Sequence, residues 1–186
     1  DSLQHAYRAA QQYARHPEGW LVLMGEAGCG KTHLAAAVAN ELLRRGESVL
    51  FVDVLDLLDY LRAAFDPESR VRYDERFEQV KSAPFLILDG LWAHSSASSS
   101  NREKLHSTPW VREKLFQVVN YRYNTNLPMV VTMPGQGWDD KLDSGIGARL
   151  GDWSISNMIF LLVRGFTEGK PAPSSDASRR GGRRPA

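Results

Sequence analysis

Apolar and polar positions alternate along the chain in blocks that read as strands and helices by turns. "WLVLMG" (20–25) is a short unbroken apolar run and predicts a buried strand. "THLAAAVANELLRRG" follows it with Leu34, Val38 and Leu42 spaced four apart, then Arg44, Arg45 and Gly46, the signature of a helix and its stop. "SVLFVD" (48–53) predicts a second strand, and "VLDLLDYLRAAF" (54–65) a helix that stops at Asp66-Pro67. "YDERFEQVK" (73–81) predicts a short charged helix, and "PFLILD" (84–89) a third strand of near-continuous apolar residues. "TPWVREKLFQVVNYRYN" starts with Thr108 as the expected N-cap and Pro109 in the first turn. "PMVVT" (128–132) and "MIFLLV" (158–163) predict two more strands. Between them, residues 139–150 predict a weaker helix, diluted by Gly145 and Gly147. Five strands separated by helices imply an α/β fold, a parallel sheet with helices on both faces.

Two segments break the rhythm. "SSASSSNREKLHS" (95–107) is Ser-rich, and its "REKL" recurs at 112–115, by local duplication or by chance. We expect a surface insertion at about 94–107. Residues 170–186 are rich in Pro, Ser and Gly and hold five basic residues against one acid. Within a chain of net charge +1, that predicts a basic disordered tail after a single domain spanning 1–169. Such a tail suits a weak grip on nucleic acid or a solvated end without a role.

Composition narrows the classes further. With 186 residues, 42% hydrophobic and 24% charged, the chain is long enough for a core of ordinary make-up. No apolar run approaches the roughly 20 residues that a membrane helix needs, so no membrane partner is expected. No signal pattern opens it, and a cytoplasmic home is the default expectation. The first residue is Asp1, as in a fragment of a longer chain. Cys29, the single cysteine, excludes an internal disulfide, and the five histidines show no metal-ligand spacing.

The chemistry concentrates in "GEAGCGKT", Gly25, Glu26, Ala27, Gly28, Cys29, Gly30, Lys31 and Thr32. It satisfies G-x-x-x-x-G-K-[ST] in full and falls between a predicted strand and a predicted helix. The glycines let the backbone curl so that its N–H groups point at phosphate oxygens, and the helix start adds its positive end. Lys31 is placed to reach the β- and γ-phosphates and the Thr32 hydroxyl to ligate Mg²⁺, while Cys29 contributes its backbone. Asp89, ending a strand in "FLILDG", is the expected second holder of Mg²⁺. The residue after it is Gly90, which has no group to deprotonate or orient water.

Other candidates are less distinct. Arg149 in "GIGARLGD" is either an arginine finger or a surface arginine, and Arg122 and Arg164 pose the same choice. Tyr121 and Tyr123 suit base stacking or packing. Asp139, Asp140 and Asp143 read as a solvated helix start.

"GWLVLMGEAGCGKTHLAAAVANELLRRGESVLFV" and "TPWVREKLFQVVNYRYNTNLPMVVT" resemble the ATPase domain of bacterial replicative helicase loaders of the DnaC/DnaI type, within the AAA+ class. IstB-type transposition helper ATPases look similar. The resemblance covers about residues 18–165. It implies a three-layer P-loop NTPase (AAA+/ASCE) with a five-stranded parallel sheet, ATP with Mg²⁺, and ATP-dependent self-assembly. It also implies contact with single-stranded DNA and delivery of a replicative helicase, the latter through a segment that these residues lack. Lys31 and Thr32 stand as the Walker A pair, Asp89 as the first Walker B acid, and Arg149 as the arginine finger.

The departures are specific. "LDGLWA" stands where the family usually has "LDDLGA", so Gly90 replaces the second acid and Trp92 a glycine. After "VVT" the family usually has a polar sensor residue, whereas Met133 and Pro134 follow here, leaving Thr132 for that catalytic role. We therefore expect ATP binding with slow hydrolysis. The alternatives are a transposition helper, a nucleotide-bound scaffold with little turnover, and a small-molecule kinase, against which stands the lack of an Arg-rich lid signature.

Overall fold

A computed structural model describes residues 2–63, 73–91, 108–136 and 144–163. Five strands form one parallel sheet: β1 Trp20–Gly25, β2 Val49–Asp53, β3 Phe85–Asp89, β4 Met129–Met133 and β5 Ser156–Leu161. Their order in space is β2-β3-β4-β1-β5. β4 therefore lies between β1, which feeds the glycine loop, and β3, which ends in Asp89. Leu23 pairs with Thr132 across β1 and β4, and Leu88 with Val131 across β3 and β4.

The helices are α1 Ser2–Arg15, α2 Lys31–Arg44, α3 Val54–Ala63, α4 Tyr73–Ser82, α5 Pro109–Thr125 and α6 Ser144–Leu150. Alternation along the strands builds two cores. Trp20, Val22, Met24, Leu86, Leu88, Met129 and Val131 face the layer of α3 to α6. Leu21, Leu23, Ile87 and Val130 face α1 and α2, meeting Ala6, Ala10, Leu34 and Val38. The three layers follow from strands that are apolar on both sides, since each such face must be covered.

Local signals set the helix ends. The Thr108 hydroxyl accepts the Val111 N–H at 3.4 Å, with Pro109 inside the first turn as expected. The chain leaves α5 through Asn126 in the left-handed conformation, φ 54°. Arg45, just after α2, donates to the carbonyls of Ala14 and Arg15 at 2.7 and 3.0 Å and so closes the end of α1.

The strand and helix pattern anticipates every described element except α1. Strand limits shift by one or two residues, most at β5, which begins at Ser156 rather than Met158. The expected helix over 139–150 is seen as α6; residues 137–143, with Asp139, Asp140 and Asp143, lie outside the described residues. So do Trp92, the Ser-rich segment at 94–107, Arg164 and the tail at 170–186.

Candidate functional site: the phosphate loop and the ends of three strands

The glycine loop, Asp89 and Thr132 all lie at the carboxyl ends of adjacent parallel strands, where open α/β sheets bind ligands. β1 ends at Gly25 and the chain turns into α2 over residues 26–30. Gly30 caps α2 at φ 104°, a conformation that a side chain rarely adopts, and a Cβ there meets nothing within 4 Å. The loop is also tightly backed. A Cβ on Gly135, just past β4, would stand 3.1 Å from the Gly25 Cα, so two backbones touch there. The Pro134-Gly135 pair after a strand was the available signal for this contact, and the motif reading passes over it.

Lys31 opens α2 and folds back over the loop. Its ammonium donates to the carbonyls of Gly25 and Glu26, both at 2.8 Å, and lies 3.7 Å from the Cys29 sulfur. Cys29 itself is buried.

Thr32 and Asp89 meet as the motifs require, 57 residues apart in sequence. The Thr32 hydroxyl shares its proton between both carboxylate oxygens at 3.0 Å. Thr132 approaches from the other side and donates to Asp89 Oδ1 at 2.6 Å. Gly90 in turn donates its N–H to the Thr132 hydroxyl at 2.8 Å, and Leu91 its N–H to the Thr132 carbonyl at 2.9 Å. Gly90 adopts φ 78°, so the chain turns sharply at the position after Asp89 and buries Leu91 completely.

The donor set suits a hard divalent cation. A hydroxyl and a carboxylate oxygen at one end of a phosphate loop match the oxygen preference of Mg²⁺, which binds through few protein ligands together with substrate phosphates. Among the described residues no group of three or more His, Cys, Asp or Glu forms a metal cluster of its own.

Arg149 lies apart from this cluster, on α6. Its guanidinium donates to the Gly145 carbonyl and to Asn120 Oδ1, both at 2.7 Å. It stacks over the Phe116 ring at 4.8 Å and the Tyr123 ring at 5.6 Å. It is thus held against α5 of its own chain.

Arg122 and the two tyrosines are structural in their contacts. Arg122 is fully buried and donates to the carbonyls of Lys81, Ala83 and Pro128, at 3.0, 2.8 and 2.5 Å. Burial lowers its pKa to about 10. Tyr123 donates to Asp152 Oδ2 at 2.5 Å and sets its ring edge-on to Trp20. Tyr121 lies under the Lys81 ammonium, 5.3 Å away. α1, absent from the sequence reading, contributes Tyr13, whose hydroxyl reaches the carbonyls of Gly19 and Met129 at 2.6 and 2.9 Å. The spacing of Ala6, Ala10, Tyr13 and Ala14 was its signal.

A phosphate loop on the first strand, an acid two strands away and a polar residue on the strand between them define a P-loop nucleotide-binding fold of the AAA+ type. Residues 9–144 match the family described as IstB-like ATP binding protein, and the chain belongs to that family. The replicative helicase loader DnaC of Escherichia coli (strain K12) is 33% identical over 88 residues. That match takes in 46% of this chain and 36% of that protein, so the chain spans about a third of this curated relative. The crystal structure of DnaI superposes with a TM-score of 0.63 at 25% identity, over 89% of this chain and 84% of that one. The crystal structure of the DnaC helicase loader gives a TM-score of 0.64 at 23% identity, over 86% and 89%, and supports the fold. The chain is thus an IstB/DnaC-like ATP-binding domain related to helicase loaders. No helix among the described residues is long and apolar enough to cross a membrane.

Proposed function

We propose that this chain is the ATP-switched domain of a helicase-loader-like DNA replication protein, one that binds ATP with Mg²⁺ and hydrolyses it slowly. The observation that carries the reading is the joining of Thr32 to Asp89 at 3.0 Å beside a loop governed by Lys31. In this reading the backbone of residues 25–30 cradles the phosphates. Lys31 leaves the Gly25 and Glu26 carbonyls for the β- and γ-phosphate oxygens. Thr32 and Asp89 hold Mg²⁺, which when bound neutralises phosphate charge.

Slow turnover is supported by the turn at Gly90. A positioned general base contributes on the order of 10²–10⁴-fold in rate. At the position where relatives of this type usually carry a second acid, the chain has no side chain and bends away at φ 78°. Arg149 is proposed as the finger that completes a neighbouring subunit's site in an ATP-dependent assembly. That role requires it to leave the cage formed by Asn120, Phe116 and Tyr123.

Contact with a replicative helicase belongs to the same proposal, motivated by the helicase loader DnaC; contact with single-stranded DNA and a place in the cytoplasm complete it as what the loader resemblance implies. The family description favours a second reading, a transposition helper of the IstB type. Measuring ATP binding and turnover on one preparation, with and without single-stranded DNA and with a replicative helicase or a transposase, tests the choice. Stimulation by helicase and not transposase supports the loader; the reverse supports the helper.

A further inference from the structure

Thr132 is 1% exposed, and its hydroxyl finds both of its partners among the described residues inside the protein. It donates its single proton to Asp89 Oδ1 at 2.6 Å and accepts the Gly90 N–H at 2.8 Å. Its own carbonyl accepts the Leu91 N–H at 2.9 Å. The end of β4 therefore grips the end of β3 at three points, one step past the last paired residues, Leu88 and Val131. A hydroxyl has one proton. With that proton on Asp89, Thr132 has none to give to a phosphate oxygen.

The two carboxylate oxygens are consequently unequal. Oδ1 receives Thr132 at 2.6 Å and a share of Thr32 at 3.0 Å. Among the described residues, Oδ2 receives only the other share of the Thr32 proton, at 3.0 Å. Thr32 can release that proton by rotating about one bond, while Thr132 is fixed by the Gly90 and Leu91 amides. We infer that Thr132 is a positioning residue for the cation site: it pins Asp89 through Oδ1 and leaves Oδ2 as the oxygen presented to Mg²⁺. The inference deepens the ATP reading above and rests on it. It also gives Gly90 a task, because the left-handed turn at φ 78° redirects the chain after the Gly90 N–H, so that the next amide, Leu91 N–H, reaches the Thr132 carbonyl.

Hydrogen-bond partners behind a metal ligand typically hold about 10–100-fold in metal affinity. The test is the affinity for a fluorescent ATP analogue, measured across a Mg²⁺ titration and again in excess chelator. Thr132→Val keeps the shape and removes the hydroxyl; Thr132→Ser keeps the hydroxyl. We expect Thr132→Val to need at least about 10-fold more Mg²⁺ for half-maximal tightening, with unchanged affinity in chelator, and Thr132→Ser to follow the unaltered chain. In an Asp89→Asn background, Thr132→Val should shift the Mg²⁺ response no further, because partners in one network are not additive. If Thr132→Val is unfolded by circular dichroism, Thr132→Ala supplies the same comparison. A folded hydroxyl-free variant with an unaltered Mg²⁺ response would overturn the inference. No Mg²⁺-dependent binding in the unaltered chain would instead overturn the ATP reading, and the inference with it.

Discussion

Arg149 donates to Asn120 Oδ1 at 2.7 Å and lies across the rings of Phe116 and Tyr123, so α6 is clamped to α5 by a cation that the proposed mechanism needs elsewhere. Its Nε is buried and has no partner among the described residues, so the cage leaves one donor unsatisfied. An unmade buried hydrogen bond costs about 1–3 kcal/mol, which favours release when a better acceptor arrives.

That relationship yields a complementation experiment. Arg149→Ala should keep ATP affinity and lower turnover, and Lys31→Ala should lose affinity. Mixed in one assembly, the two variants create some sites that hold both Lys31 and Arg149 at a shared interface. Partial recovery of phosphate release is expected. An assembled mixture with no recovery would contradict the action in trans.

Gly90→Asp restores the usual pair of acids. Its left-handed φ of 78° costs an ordinary residue about 1–2 kcal/mol, and Asp tolerates it better than most. Phosphate release at saturating ATP should rise by up to about 10²–10⁴-fold, with ATP affinity little changed. A folded variant with no gain would place the slow step elsewhere, in Arg149 or in the chain beyond Leu91.

Arg122 is expected to matter for stability and not for the nucleotide. It satisfies the carbonyls of Lys81, Ala83 and Pro128 from a fully buried position. Arg122→Met strips those carbonyls of a donor at about 1–3 kcal/mol for each group left unsatisfied. Urea unfolding should show a loss of about 3 kcal/mol or more. Folded protein should still bind the ATP analogue with its former affinity, and a selective loss of affinity at full stability would contradict this assignment.

Asp152 predicts an acid-sensitive tie. The Ser154 hydroxyl first, then the Tyr123 hydroxyl and the Ser154 N–H, hold its pKa at about 2, below the ordinary 3.8. A folded pKa below the unfolded one means that the native state binds fewer protons in that window, so stability rises with pH there. The contribution is full above about pH 4 and fades as the pH falls toward about 2. The urea midpoint of the unaltered chain should drop more steeply over that range than that of Asp152→Asn. Parallel curves would refute it.

Local signals make most of this fold legible in the sequence. The strands are continuous apolar runs because both faces of the sheet are covered, and Thr108-Pro109 and Gly46 mark helix ends by backbone chemistry. The strand order was not legible, since which strand enters the middle of a sheet depends on long-range packing. α1 was missed because its buried stripe is made of Ala6, Ala10 and Ala14, small residues that give little contrast. Within the candidate site, Lys31, Thr32 and Asp89 announced themselves by motif. The grip of Thr132 on Asp89 and of Gly90 on Thr132 did not, because it arises from two strand ends 43 residues apart. Arg149 was legible as a residue, but its stacking against Phe116 and Tyr123 was not.

The account stands on ATP binding through Lys31 and the Thr32–Asp89 pair, and calorimetric titration of the unaltered chain with ATP and Mg²⁺, set beside Lys31→Ala, tests it most directly. The account predicts saturable, Mg²⁺-strengthened binding by the unaltered chain and at least about 10-fold weaker binding by a folded Lys31→Ala variant. Equal affinity in the two proteins, or no binding by the unaltered chain, would contradict it.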